Sequence, residues 1–524
     1  MIRSFKSLVR LFWIAVAFAR HGALAPFQEA LAGVGLAPFL LWLVLVFFGR
    51  TPKDLSGRDM RPGERLAAAL SELGPAFIKL GQVLSTRSDL LGEQVAADLA
   101  KLQDQLPAFS SFEARATIET ELGQPIGVLF KSFDDEPVSA ASISQVHYAV
   151  TLPDGESPEG RPVAVKVLRP GIEAAFQRDI DLLMWIATVI ERTQPRFKRL
   201  KPVEVVRTFA ATVRIEMDLR LEAASAAELR QNFEGDPTYR VPVIDWQRTA
   251  RRVMTQERQT GIPMDDRQAM IAAGLNVDQV LTKAAAIFFN QAFRDGYFHG
   301  DQHPGNMTVS YDGAIQVVDF GIMGRLDKTT RFFLADMLLA FLERDYARVA
   351  EIYLDAGYLG QNQPLDEFTL ALRSIGEPIH GRPLHDISFA RVLGQLFSIA
   401  ESFEMEVQPQ LLLLQKNMLM AEGVSRQLNA DLNIWTLARP LIEEWMRENR
   451  GPEARIKHAA EEFLHVTRRF PAVMRNLDRL VGHLSEGGLK LDPEALRVIT
   501  RTGSTWYLWL LIAILAAGLV LRIG

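Results

Sequence analysis

The chain contains no cysteine, which excludes disulfides, thiol nucleophiles, thiolate zinc sites and cysteine-ligated iron–sulfur clusters. It also lacks a charge bias: 58 Lys and Arg stand against 63 Asp and Glu, for a formal net charge of −5. Nucleic-acid binders ordinarily carry a basic surplus, so no nucleic-acid partner is expected. There is no internal repeat and no low-complexity tract beyond local alanine enrichment. What the chain does have is length and local apolarity. Its 524 residues suffice for a large core, in about two to four folding units at roughly 150 residues each. Mean hydropathy is +0.04 although 23% of the residues are charged, so some segments must be strongly apolar.

Those segments lie mostly at the two ends. Residues Thr505 to Ile523 run without charge until Arg522, and such a stretch spans roughly 28 Å as a helix, close to a bilayer core of about 30 Å. Trp506, Tyr507 and Trp509 suit one membrane interface and Arg522 the other. A transmembrane helix is expected over 505–523, the competing reading being a buried C-terminal helix. Lys490, Arg497 and Arg501 beside it place the preceding domain on the cytoplasmic side. At the N-terminus, Arg3, Lys6 and Arg10 share one helical face, with Phe5, Leu8, Phe12 and Trp13 on the rest. That pattern fits a helix lying on anionic lipid. The run Leu31–Phe48 is uncharged but broken by Gly33, Gly35 and Pro38, and reads as membrane-associated. A cleaved signal peptide is disfavoured by Arg20, His21 and Pro26 around the small residues. The basic run Arg192–Arg207 is either a solvated connection or a patch that docks on anionic headgroups.

Between the ends the periodicity changes twice. Leu66, Leu70, Leu73, Phe77, Leu80 and Leu84 recur at helical steps. From Phe130 to Met254, β-branched runs at Ser142–Val150, Val163–Leu168 and Val253–Thr255 predict strands. Pro153-Asp-Gly and Pro158-Glu-Gly mark a hairpin between the first two. After residue 260 the pattern is helical again, except for a turn-rich passage at 296–325.

That passage reads His299-Gly-Asp301-Gln-His303-Pro-Gly-Asn306, followed by a short strand pattern and Asp319-Phe-Gly. Phosphoryl transfer from a nucleotide needs such a set: one carboxylate for the acceptor, and an amide and a second carboxylate for Mg²⁺. The spacing resembles the catalytic and metal-binding loops of protein kinases. A rival reading takes His299, Asp301 and His303 as a metal triad. Val163-Ala-Val-Lys166 supplies a lysine on a strand, and Glu222, leading into Ala223-Ala224, is its candidate partner. No glycine-rich loop precedes Lys166. Ala140, Ala141 and Ser142 stand there instead, and their Cβ atoms restrict a close approach to phosphate. On the preceding helical stretch, Lys79 and Gln82 share a face with Thr86, and Gly81 costs about 1 kcal/mol against alanine, which points to close helix packing.

Taken together, these motifs resemble the UbiB (ADCK) family of atypical kinase-like proteins. The resemblance rests on Lys79-x-Gly81-Gln82, Ala140-Ala141-Ser142, Lys166, Glu216-x-Asp218, the His-x-Asp-x-His-Pro-Gly-Asn loop and Asp-Phe-Gly, all in family order. The stretch from Glu406 to Lys416 also resembles the bacterial branch. The resemblance implies an α+β, mostly helical, two-lobed kinase-like fold with an N-terminal helical extension and a C-terminal transmembrane helix. The expected divisions are a membrane-associated segment at 1–50, the extension at 51–124, an N-lobe at 125–258, a C-lobe at 259–450, a helical tail at 451–500 and the anchor at 505–523. It implies ATP and Mg²⁺ as cofactors, with Asp301, Lys166 and Glu222 catalytic and Asn306 and Asp319 at the metal. Ala140, Ala141, Ser142, Lys166, Lys79 and Gln82 would meet the nucleotide, with Glu216 and Asp218 near Lys79. The implied process is ubiquinone biosynthesis at the bacterial inner membrane, with membrane lipids and ubiquinone-biosynthesis enzymes or prenylated quinone precursors as partners. The activity would be ATP hydrolysis or phosphoryl transfer. The alternatives are a nucleotide-gated scaffold and a small-molecule phosphotransferase.

Overall fold

The computed structural model describes residues 5–23, 44–49, 59–85, 92–99, 102, 107–193 without 156, and 201–378 without 360–362. It also describes 388–429 without 404, 406 and 407, together with 437, 440, 441, 444, 445 and 447–449. The chain divides into two compact units, 1–445 and 446–524. The tail at 451–500 and the expected anchor at 505–523 lie outside the described residues, as do Thr86 and most of 24–58. Among the described residues no helix is long and apolar enough to cross a membrane.

The first unit opens with α1 (Phe5–Arg20), which docks on the helical extension, α2 (Pro62–Leu73), α3 (Pro75–Ser85) and α4 (Glu93–Leu99). Val16, Ala17, Phe18 and Ala19 are buried in the core that these helices share. Arg10, expected on a lipid-facing side, instead forks onto Asp179 with two bonds of 2.9 Å and caps the Leu73 carbonyl at 3.0 Å. Phe12 and Trp13 remain about half exposed on the other side of the helix. The tight packing expected at Gly81 is present. A Cβ there would collide with the Leu102 side chain and come within 2.9 Å of Leu70.

Next, α5 (Ser111–Leu122) and α6 (Ile126–Leu129) lead into the N-lobe sheet. Its strands are β1 (Phe130–Phe133), β2 (Ser139–Ala140), β3 (Ser144–Thr151), β4 (Pro162–Leu168) and, further on, β6 (Val253–Glu257), in order β1-β3-β4-β6 with β2 on β3. Every pairing is antiparallel. Helix α5, expected in the extension, packs on this sheet: Ile118 joins Phe130, Val163, Val165, Val167 and Val253 in one core. Three helices, α7 (Ile172–Thr193), α8 (Pro202–Glu216) and α9 (Leu219–Asn232), follow β4. The basic run Arg192–Arg207 spans the end of α7 and the start of α8, and its residues 194–200 lie outside the described residues.

The C-lobe is mainly helical around short strands. A four-stranded sheet of order β5-β10-β9-β7 contains β5 (Tyr239–Arg240), β7 (Ile262–Pro263), β9 (Met307–Val309) and β10 (Ile315–Val317). A separate pair joins β8 (Tyr297–His299) to β11 (Met323–Arg325). Helices α10 (Arg267–Ala272) and α11 (Val277–Phe289) precede these loops, and a π-turn over Asn290–Asp295 extends α11. A terminal helical group, α12 (Lys328–Leu342), α13 (Tyr346–Asp355), α14 (Leu365–Gly376), α15 (Phe389–Ser402) and α16 (Pro409–Leu428), builds a second core around Phe333, Tyr346 and Phe368.

Candidate active site

Lys166 sits on β4, opposite Val146 of β3 and Met254 of β6. A lysine there is carried by a rigid central strand, which fixes where its ammonium can reach. The break between α8 and α9 places its partner. Asp218 caps α9 by accepting from the Arg220 N–H at 3.2 Å, and Glu222 falls in the first turn, where the helix dipole favours an anion. Lys166 Nζ donates to Glu222 Oε1 at 2.6 Å and to Asp319 Oδ2 at 3.3 Å. Glu222 is buried, whereas the Asp319 side chain is 44% exposed.

Electrostatics follow from this geometry. Burial alone would lower the Lys166 pKa, but the Asp319 and Glu222 carboxylates outweigh it and raise it. For Asp319 burial pulls upward, and the Lys166 ammonium with the Gly321 N–H at 2.9 Å overcomes it, holding the carboxyl well below the usual range. Glu222 is pushed up, chiefly by its burial. The ammonium is thus fixed between two carboxylates, of which the exposed one carries the firmer charge.

Asp319 leaves the end of β10, where Gln256 Nε2 of β6 donates to the Val318 carbonyl at 2.9 Å and so joins the two lobes. His299, at the end of β8, organises the rest. Its Nε2 contacts the Asp319 carbonyl, and its Nδ1 accepts from the Asp301 N–H at 3.1 Å. Burial lowers the His299 pKa, so the ring is neutral, donating at one nitrogen and accepting at the other. Asn306 Nδ2 donates to the Asp301 carbonyl at 3.2 Å. Lys166, Glu222, Asp301, Asn306 and Asp319 therefore belong to one bonded constellation.

Both nitrogens of His299 are spent on backbone groups, which removes it from the rival metal triad. Among the described residues no group of three or more His, Asp or Glu could hold a metal. Asn306 and Asp319 could hold Mg²⁺, an ion that takes one or two protein oxygens and completes its shell with phosphates and water. With Asn306 Nδ2 bonded to the Asp301 carbonyl, its side-chain oxygen is the atom that would face such an ion.

The remaining expected residues are placed as follows. Ala140 pairs with Gln145, the Ala141 N–H donates to the Ser144 carbonyl at 2.8 Å, and the Ala141 carbonyl is gripped by Arg169 at 2.8 and 3.1 Å. The turn is thus held by internal bonds. Ser142 is fully buried with its Oγ unpartnered among the described residues. Buried Lys79 of α3 pairs with Glu216 at 3.1 Å, whose side chain is 8% exposed, as the resemblance implied. Asp218 is bound by Arg220 at 2.6 and 2.8 Å. Gln82 is half-buried, one turn beyond Lys79 on α3.

Sequence reasoning passed over the support from α16. Lys416 Nζ donates to Asp301 Oδ1 at 2.8 Å. Asn417, fully buried, donates to the His299 carbonyl at 3.0 Å and accepts from the Gln302 N–H at 3.0 Å. The available signal was Gln415-Lys416-Asn417, a polar trio that interrupts the apolar run from Leu411 to Met420. Gln291 was missed as well; it sits in the π-turn, fully buried, and accepts from the His299 N–H at 2.9 Å.

Comparison with known proteins gives the family. Residues 101–353 match the ABC1 atypical kinase-like domain and residues 372–433 the UbiB helical domain. The probable protein kinase UbiB of Marinobacter nauticus is 44% identical over 86% of this chain and 81% of its own. That of Xanthomonas euvesicatoria is 41% identical over 87% and 83%. A solved structure, the Rv3197–erythromycin complex from Mycobacterium tuberculosis, is 26% identical over 71% of this chain and 93% of its own, with a TM-score of 0.48. With its lysine–carboxylate pair, its Asp-Phe-Gly strand end and a helical domain seated on the catalytic loop, the chain belongs to the UbiB family of atypical kinase-like proteins.

Proposed function

We propose that the protein binds MgATP in this cleft and hydrolyses it, or transfers its γ-phosphoryl group, in support of ubiquinone biosynthesis at the bacterial inner membrane. The observation that carries the reading is the linkage of Lys166, Glu222, Asp319, Asp301 and Asn306 in one constellation. Lys166, steadied by Glu222, meets the α- and β-phosphates. Asp301 orients the acceptor and takes its proton. Asn306 and Asp319 hold Mg²⁺, which when bound neutralises charge on the phosphates. The unpartnered Ser142 Oγ and the rest of the alanine turn form the nucleotide side, with Gln82 one turn beyond Lys79, whose ammonium Glu216 holds.

The membrane reading rests on the apolar stretch 505–523, taken as an anchor that leaves the kinase-like unit in the cytoplasm, where ATP is. Membrane lipids, other ubiquinone-biosynthesis enzymes and prenylated quinone precursors are the partners. A small apolar cavity of about 70 Å³, partly open to solvent, lies among Phe288, Phe293, Met337, Leu396 and Met418. Quinone profiling tests the assignment. A strain lacking the protein should lose ubiquinone, regain it with the wild type, and fail to regain it with Asp319→Asn. Full recovery with Asp319→Asn would contradict the catalytic reading and favour a scaffold.

A further inference from the structure

The loop that carries Asp301 has no cation of its own: from His299 to Asn306 there is neither lysine nor arginine. Lys166 is already committed to Glu222 and Asp319. Yet phosphoryl transfer spreads negative charge over the equatorial oxygens of the moving group, and fixed cations aimed there are among the strongest contributors to rate. Among the described residues the ammonium set against the Asp301 carboxylate comes from 115 residues downstream, on α16 of the helical domain: Lys416, at 2.8 Å.

Resting on the nucleotide reading above, we infer that Lys416 is a catalytic residue, supplying from the helical domain the cation that meets the γ-phosphoryl group beside Asp301. The alternative is that this ion pair merely fastens α16 to the loop. Its exposure argues otherwise. The side chains of Lys416 and Asp301 are 37% and 26% exposed, and pairs so open to water hold little. The fastening is done by neighbours. Buried Asn417 bonds both the His299 carbonyl and the Gln302 N–H, and Leu413 packs so closely on Gly300 that a Cβ there would lie 2.8 Å from its Cδ2. This bracket holds α16 in place and leaves the Lys416 ammonium at the mouth of the site. His303 approaches the other carboxylate oxygen at 3.9 Å, with its Nδ1 accepting the Gly305 N–H at 3.0 Å.

In hydrolysis the oxygen of water bonds to the γ-phosphorus as the bond to the β–γ bridging oxygen breaks. The electron pair leaves with ADP, and Asp301 receives the proton of the water. Lys416 lies within one side chain's reach of the phosphoryl oxygens throughout, because it is already bonded to the residue that must touch the attacking oxygen.

The test uses the full chain in detergent, comparing wild type, Lys416→Met and Lys416→Arg. Phosphate release gives kcat, and calorimetry gives the affinities of MgADP and of MgAMP-PNP, a triphosphate that does not turn over. Lys416→Met should lower kcat about 100-fold and weaken MgAMP-PNP about tenfold, while MgADP, which has no γ-phosphate, stays within about twofold. Lys416→Arg should restore much of both. Unchanged kcat, or an equal loss of both nucleotides with a lower Tm, would overturn the inference and leave Lys416 a fastener. A wild type that releases no phosphate would instead refute turnover, with the AMP-PNP to ADP affinity ratio still deciding whether Lys416 senses the γ-phosphate.

Discussion

Two buried lysine–glutamate pairs sit within this molecule and do different work. Lys79–Glu216 joins α3 of the extension to the end of α8, with side chains 11% and 8% exposed. Lys166–Glu222 joins β4 to the start of α9, at 15% and 9%. In charge and burial they are close to identical. Lys166 also reaches Asp319, whose carboxylate is 44% exposed. Water can enter at that edge, so the Lys166 cluster opens toward solvent, as the proposed nucleotide and metal site requires. The Lys79 pair ties one element to another. A lysine motif in a sequence does not separate these roles; the exposure of the next carboxylate does.

Breaking each pair should therefore give a different phenotype. The largest effect is expected for Asp319→Asn: ATP turnover should fall by about 10²–10³-fold or more in a chain that still unfolds cooperatively, as read by ADP release and calorimetry. Lys79→Ala should act on the fold, costing about 3–5 kcal/mol in urea unfolding because Glu216 stays buried without this cation. Replacing both partners, Lys79→Met with Glu216→Leu, should recover most of that loss, whereas a double replacement of Lys166 and Glu222 should recover no turnover. Smaller is Gly81→Ala, at about 1–3 kcal/mol, since its new methyl meets Leu70 and Leu102; a neutral outcome in urea would show that α3 can shift.

The smallest effect concerns pH. Asp319, with its depressed pKa, contributes stability above about pH 3.9, and Lys166, with its raised pKa, contributes below about pH 10.4. Across the neutral range both contributions are flat. His147 differs: buried in the N-lobe sheet, it has a lowered pKa, with burial the main cause. It donates from Nδ1 to the Asp134 carbonyl and accepts from Gln145, both at 2.8 Å. Its contribution is complete above about pH 6.5 and declines as pH falls below that value. Urea midpoints measured between pH 5 and 8 should show this slope in the wild type and a smaller one in His147→Gln, the remainder belonging to His299, whose pKa burial also lowers. A slope unchanged by the substitution would move the titration elsewhere.

Much of the architecture was legible because local pattern and packing agree. The β-branched runs became β3, β4 and β6, and the helical period between residues 60 and 85 became α2 and α3. Asp301, Asn306 and Asp319 were legible because turn residues and a short strand bring them together within twenty positions. What local pattern could not reveal is long-range choice of partner. Helix α5 buries only a narrow stripe including Ala114 and Ile118, and nothing in that stripe says that a sheet covers it. Arg10 read as lipid-facing because Asp179 lies 169 residues away. Lys416 and Asn417 reach the catalytic loop across more than 110 residues, and no periodicity encodes that.

Titration calorimetry of MgADP into the full chain, as wild type and as Lys166→Met, tests the central claim most directly. The account predicts that the wild type binds only when Mg²⁺ is present and that Lys166→Met, still folded at the assay temperature by circular dichroism, binds at least tenfold more weakly (about 1.4 kcal/mol). A wild type that takes up no nucleotide, or a variant that binds as tightly, would contradict it.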